Sequence, residues 1–302
     1  MKFISLLLVI FFYTNVFAIE QKRITDDDQW YKKIETLNWQ NLEQKEHSKE
    51  IQKAKADILI LEEEIYLDSF KDIDQYSWWT SGFSAEKDSV MIIRGNGYNI
   101  YLDYVDEGYI KLDDWEKVDP NNLIKQMRKT AKNNAEYLKN KNLDFTTQID
   151  WIFKPTLNRE NNSVSYSYKV TWNSGVKTME SKNLILGKKG HLESAFVVSY
   201  REDLDFKKES EFSKDFVNGV IFKEGFKHSD YKPGDKIAAA GIGSLVAGSL
   251  GVKALAKTGV LAKLLKFWWI LLAPLAFIGK FLSGKESSSN TSSSSTRRKR
   301  KK

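Results

Sequence analysis

The chain has 302 residues, 47 of them lysine or arginine against 40 acids, and no cysteine, so disulfides, thiol catalysis and cysteine-ligated clusters are excluded. Its net charge of +7 is unevenly placed: Lys2 carries +1, Arg297 to Lys302 +6 and Ile237 to Thr296 +5, which leaves Ile19 to Lys236 at −5. A body of that sign does not attract phosphate backbones, so nucleic acid is not expected as a partner; with only His47, His191 and His228, no two on one helical face, neither a metal nor a cofactor site is expected.

Residues 1–18 read as a secretory signal peptide. Lys2 gives the positive start, Phe3 to Phe12 the apolar run, and Val16-Phe17-Ala18 the small-residue pattern before a cut. A retained N-terminal membrane helix is the alternative, and it too exports the body. That body, residues 19–236, is long enough to fold on core packing alone.

Within Glu43 to Tyr66, Ile51, Ala54, Ile58, Leu61 and Ile65 recur at helical intervals, and the spacing predicts a helix running into a strand. Asp68 to Lys87 is aromatic and turn-rich with no clear period. Val90 to Ile93 and Tyr98 to Val105 read as a hairpin around Gly95-Asn96-Gly97. Asp119 caps a helix that opens at Pro120 and reaches about Lys139, with Leu123, Met127, Ala131 and Leu138 on one side. Phe145 to Phe153 and Ser163 to Trp172 alternate as strands separated at Pro155 and Asn158 to Asn162, Leu184 to Leu186 and Leu192 to Tyr200 add two more, and Glu209 to Val217 forms a short helix. The expected class is α+β: an extracytoplasmic domain with a mainly antiparallel sheet and a few helices on one face, followed by C-terminal membrane helices.

Residues 237–282 form the expected membrane region, with apolar stretches Ile237 to Val252 and Leu264 to Leu282. Both are short for a span of about 20 residues, so one or two crossings remain open. In the first stretch Ala239, Gly243, Ala247 and Gly251 repeat every fourth residue, with Ser244 and Gly248 beside them, a ridge for close helix packing against the second apolar stretch or, by self-association, against another copy. Residues 283–302 are a serine-rich linker and a basic tail suited to anionic membrane lipid.

Three strings, Tyr104-Val105-Asp106-Glu107-Gly108-Tyr109-Ile110-Lys111-Leu112-Asp113-Asp114, Leu184-Ile185-Leu186-Gly187-Lys188-Lys189-Gly190 and Pro233-Gly234-Asp235-Lys236-Ile237-Ala238-Ala239-Ala240-Gly241 with Leu245-Val246-Ala247-Gly248, resemble the predicted membrane-anchored bacterial proteins catalogued as domain of unknown function 2167. The resemblance runs from about Tyr98 to Lys280 and implies an export signal, an extracytoplasmic α/β body and a C-terminal membrane segment; it supplies no catalytic residues. Leu67 to Ser89 departs from the pattern, and Lys188 stands where many relatives carry arginine.

No catalytic motif is present. The residues left as functional candidates are Tyr109, Asp113 and Asp114, a carboxylate-rich turn of the kind that performs acid–base work when its environment separates the pKa values. The expectation is a non-enzymatic envelope protein at the bacterial cytoplasmic membrane, its exported domain binding an envelope protein or other envelope component; a membrane-tethered enzyme using the turn around Tyr109 is the alternative.

Overall fold

The computed structural model describes residues 32–42, 47–81, 84–140, 144–198 and 204–250. The expected signal peptide, the second apolar stretch, the serine-rich linker, the basic tail and Gly251 of the small-residue ridge lie outside the described residues. Two sheets are formed. β3 (Ile65–Leu67), β4 (Ser89–Gly95), β5 (Tyr98–Val105), β6 (Thr146–Asn158), β7 (Ser163–Trp172), β8 (Lys177–Leu186) and β9 (His191–Val198) make a seven-stranded sheet of order β3-β4-β5-β9-β8-β7-β6. Every neighbouring pair in it is antiparallel. A smaller sheet has the order β1-β2-β10, from β1 (Ser48–Ile51), β2 (Ala56–Leu59) and β10 (Val220–Phe222).

Side-chain alternation along the strands sorts the core. The register pairs Tyr166 with Lys182, Lys182 with Ala195, Ala195 with Tyr101 and Glu193 with Asp103, placing these residues on one face. Helix α1 (Phe70–Ser81) packs on that face through Ile73 and Tyr76 against Ile92, and α2 (Pro120–Asn140) through Leu123, Ile124 and Met127 against Tyr166, Tyr168 and Leu184. The opposite face, with Ile100, Leu102, Leu192 and Phe196, is covered by the small sheet and by α3 (Phe206–Asp215) with the 3-10 turn that follows it. The helices are therefore not confined to one face, as alternation alone had suggested.

Three local expectations change. The helix expected over Glu43 to Tyr66 is three short strands. Ala56, Ile58 and Ile60 are buried alternately and β2 sits between two partners, so period two wins over the stripe at three and four. Asp68 to Lys87, read without a period, holds α1. Its inward stripe is Ile73, Tyr76, Ser77 and Thr80, half of it polar, with the Thr80 hydroxyl donating to the Tyr76 carbonyl at 2.9 Å, so apolar spacing does not reveal it. Pro155 does not end β6, because β6 is an edge strand where a missing N–H costs no ladder bond.

The hairpin β4–β5 and the helix opening at Pro120 match the sequence, the latter with Asp119 Oδ1 accepting from the amides of Asn121 and Asn122 at 2.9 and 3.3 Å. At the C-terminal end the packing carries the core past Lys236. Helix α4 (Ile242–Ser249) belongs to the body, with Ile242, Leu245, Val246, Ala247 and Leu250 buried among residues of α2, β7 and β8. Within the stretch expected to meet lipid, Ala240 and most residues from Ile242 to Leu250 thus meet the protein's own core, while Ile237 and Ala239 stay exposed. No helix among the described residues is long and apolar enough to cross a membrane.

Candidate binding surface

The three strings that carry the family resemblance are far apart in sequence and are built into one rim. The Gly108 amide donates to the Lys189 carbonyl at 2.7 Å, the Lys188 amide to Phe226 at 2.8 Å, and the Tyr109 amide to Lys236 at 2.8 Å, while Tyr109 accepts from the Ala238 amide at 2.9 Å. Side chains add a Lys188–Asp235 ion pair at 3.1 Å. The backbones approach closely enough to require glycine. A Cβ on Gly190 would lie 1.9 Å from the Val105 carbonyl oxygen, and Gly108 has φ +103° with its absent Cβ facing the Lys236 carbonyl.

On this frame Tyr109 is the middle of an aromatic stack. Its ring lies 4.3 Å from His228 and 4.1 Å from Tyr231, both at 25°. His228 is buried and its Nε2 is 2.8 Å from the Ile110 carbonyl oxygen; since a carbonyl only accepts, Nε2 carries the proton. Burial holds the His228 pKa below its ordinary value against that bond, so the ring is neutral at neutral pH. Burial, and then the neighbouring Tyr231, raise the Tyr109 phenol. Tyr109 and Tyr231 remain half-buried, Ile237 is 43% exposed, and Lys111, Lys189, Lys227, Lys232 and Lys236 are exposed on the same segments. The half-buried Tyr109 and Tyr231 with the exposed Ile237, edged by ammonium groups, can recognise a partner by apolar contact and ionic bonds.

The other two candidates do different things. Asp114 Oδ1 accepts the Gly243 amide at 3.0 Å, capping the first turn of α4 from outside the helix. Its carboxylate also fills the space where a Cβ on Gly241 would be, 2.6 Å away. Asp113 is exposed beside it. Of the carboxylate-rich turn around Tyr109, Asp114 thus serves a helix terminus.

The small-residue ridge is likewise distributed. Ala239 is exposed, Ser244 is half-buried, and Gly243, Ala247 and Gly248 face inward. Close approach along the ridge occurs, but against this body: a Cβ on Gly243 would stand 3.0 Å from the Asp114 carbonyl oxygen and 3.3 Å from Val118.

Beneath α4 lies a buried polar layer that sequence reasoning missed. Lys182, 1% exposed, places Nζ 3.1 Å from Glu193, 3.6 Å from Glu180 and 2.8 Å from the Ser249 carbonyl at the end of α4. The Tyr166 hydroxyl meets Ser249 Oγ at 2.5 Å. Burial pushes the Lys182 pKa down, but Glu193 and Glu180 outweigh it, so the net displacement is upward and the ammonium persists. On the neighbouring strands burial lifts Asp103 to about 7 against the hydroxyl of Ser89, with Glu193 adding to the rise and Lys182 opposing it. His191 Nδ1 lies 3.0 Å from Glu107 Oε1 but off hydrogen-bond alignment. The available signal was period two along β8, which puts Glu180 and Lys182 on the same face as Leu184 and Leu186. Among the described residues no group of three His, Asp or Glu side chains could hold a metal ion.

The profile of the family described as Protein of unknown function (DUF2167) matches residues 43–279. No curated protein matches the chain in sequence. Among solved structures, the solution structure of cyanobacterial PsbP (CyanoP) from Synechocystis sp. PCC 6803 is similar at a TM-score of 0.38 and 9% identity, covering 61% of this chain and 98% of that one.

Proposed function

We propose, from the premise that this chain belongs to the DUF2167 family, that it is a non-enzymatic envelope protein, exported and anchored at the bacterial cytoplasmic membrane, whose body recognises an envelope protein through the Tyr109–Tyr231 rim. The observation that carries the reading is the convergence of the three strings on one half-exposed aromatic stack edged by lysines. Export rests on residues 1–18, and anchoring on the apolar stretch Leu264 to Leu282. The alternative of an acid–base site is less favoured, since Asp114 is committed to the α4 terminus.

The test uses the cysteine-free background. A single cysteine at Ser229, exposed and next to His228, is labelled by an impermeant thiol reagent on intact cells. Photo-crosslinkers at Tyr231 and Ile237 then capture an envelope protein that a crosslinker at Tyr137, 65% exposed on α2, does not. Labelling of Ser229 only after lysis, or the same products from all three crosslinking sites, refutes the proposal.

A further inference from the structure

A cleft of about 550 Å³ opens between the β6–β7 turn and the end of α3, on the side of the sheet opposite α4. Its size falls within the range of small-ligand sites, about 300–1,000 Å³. One wall is the turn. Asn158 Oδ1 accepts the Glu160 amide at 2.8 Å and Asn161 Oδ1 accepts the Ser163 hydroxyl at 2.6 Å, so each amide spends its oxygen inside the turn and keeps its N–H donors. The other wall carries Lys214, Asp215 and Asn218, all exposed.

The floor is buried and tied together. Ser163 and Ser165 are 2% and 4% exposed, and Ser165 Oγ donates to Asn183 Oδ1 at 2.7 Å. The Asn183 amide nitrogen donates in turn to Ser194 Oγ at 2.9 Å and to the Ser213 carbonyl at 3.0 Å, one residue before Lys214. One buried amide therefore ties the floor to the α3 wall, and that side of the cleft is built before any ligand arrives.

Its chemistry is selective. Arg159 and Lys214 are balanced by Glu160 and Asp215, so a polyanion gains no net attraction, while an apolar ligand would leave several polar groups unpaired. Leu157 and Val217 offer a small apolar contact among donors and acceptors. A peptide strand added to edge β6 would need a regular N–H ladder, which Pro155 and the register irregularities between Trp151 and Thr156 interrupt. A ligand with alternating hydroxyls and C–H faces fits all of these features. The geometry points to a glycan-binding site that takes a short, uncharged oligosaccharide. It is separate from the Tyr109–Tyr231 rim and stands without it.

The full-length protein in detergent is titrated calorimetrically with chitotetraose and with maltotetraose. At least one binds saturably, and the triple variant Asn158→Ala, Asn161→Ala, Asn218→Ala weakens it by about tenfold or more, the equivalent of one or two lost hydrogen bonds. Tyr109→Ala with Tyr231→Ala leaves this affinity unchanged. Lys214→Ala with Asp215→Asn, on the opposite wall, reproduces the loss and substitutes for the triple variant if that one fails to fold. Absence of saturable binding for both sugars up to about 10 mM overturns the assignment, as does affinity that both cleft variants leave intact. Loss of sugar affinity in the rim variant, or binding of dextran sulfate that salt abolishes, likewise overturns it.

Discussion

Lys182→Met is the sharpest perturbation of this fold. The substitution leaves an unbranched apolar side chain one atom shorter and removes an ammonium that contacts Glu193 at 3.1 Å, Glu180 at 3.6 Å and the Ser249 carbonyl at 2.8 Å, with 1% of the residue exposed. Two buried carboxylates and the last turn of α4 then lose their shared cation. Breaking a buried pair from one side costs about 3–5 kcal/mol, because the partner charge stays behind. For a body of this size each kcal/mol lowers Tm by roughly 2–4 °C, so the expected drop is roughly 6–20 °C. Thermal melts of the full-length variant measure the drop in Tm, and urea melts followed by tryptophan fluorescence measure the free-energy loss. Replacing the cluster with apolar groups of similar volume, Lys182→Met with Glu180→Leu and Glu193→Leu, restores most of the loss, since no buried charge is then unpaired. The Lys182 pKa is raised, so its contribution is fully present below the unfolded value of 10.5 and is lost only as pH rises through the higher folded value. The titration of Lys182 itself accordingly adds no pH dependence to that cost from about pH 7 to about pH 10. A loss below about 1 kcal/mol, or a triple variant worse than the single one, would refute this account of the layer.

Asp103, lifted to about 7 by burial, binds its proton in the folded state where the unfolded chain has released it. Its contribution is present below the unfolded value of 3.8 and is lost as pH rises to about 7, with a ceiling of about 1.4 kcal/mol per pH unit. Asp103 keeps part of its surface in water, so the measured slope falls below that ceiling, and Asp103→Asn flattens it; an unchanged slope removes the assignment. Gly243→Ala places a Cβ 3.0 Å from the Asp114 carbonyl oxygen and 3.2 Å from its carboxylate, and lowers stability by about 1–3 kcal/mol in melts, whereas a neutral result would mean that α4 is not seated on Asp114.

The β4–β5 hairpin and α2 are legible because their signals are local: Gly95-Asn96-Gly97 makes the turn, and Asp119-Pro120 opens the helix with an apolar stripe behind it. α1 is not, since Ser77 and Thr80 occupy inward positions where a periodicity reading looks for apolar side chains. β1 and β2 are misread because Ile51, Ala54 and Ile58 satisfy a helical stripe in isolation, and only pairing with β10, some 160 residues later, makes the extended form the better burial. Of the candidate surface, Tyr109 was visible as an aromatic in a charged turn. Its neighbours His228 and Tyr231 lie more than a hundred residues away and carry no shared pattern.

Composition and local pattern determined that this chain cannot rely on disulfides, that its basic charge sits outside the body, and that its domain mixes helices with an antiparallel sheet. Tertiary structure decided what the apolar and charged residues of the last described segments are for. Ile242 to Leu250 has the composition of a lipid-facing helix, and Asp114 that of a reactive carboxylate. Composition records only which solvent a side chain tolerates. Which surface comes within reach is set by chain folding: here the sheet face supplies Lys182 for the end of α4 and the loop leading into the 3-10 turn Trp115–Lys117 supplies Asp114 for its beginning, so both groups are satisfied inside the body.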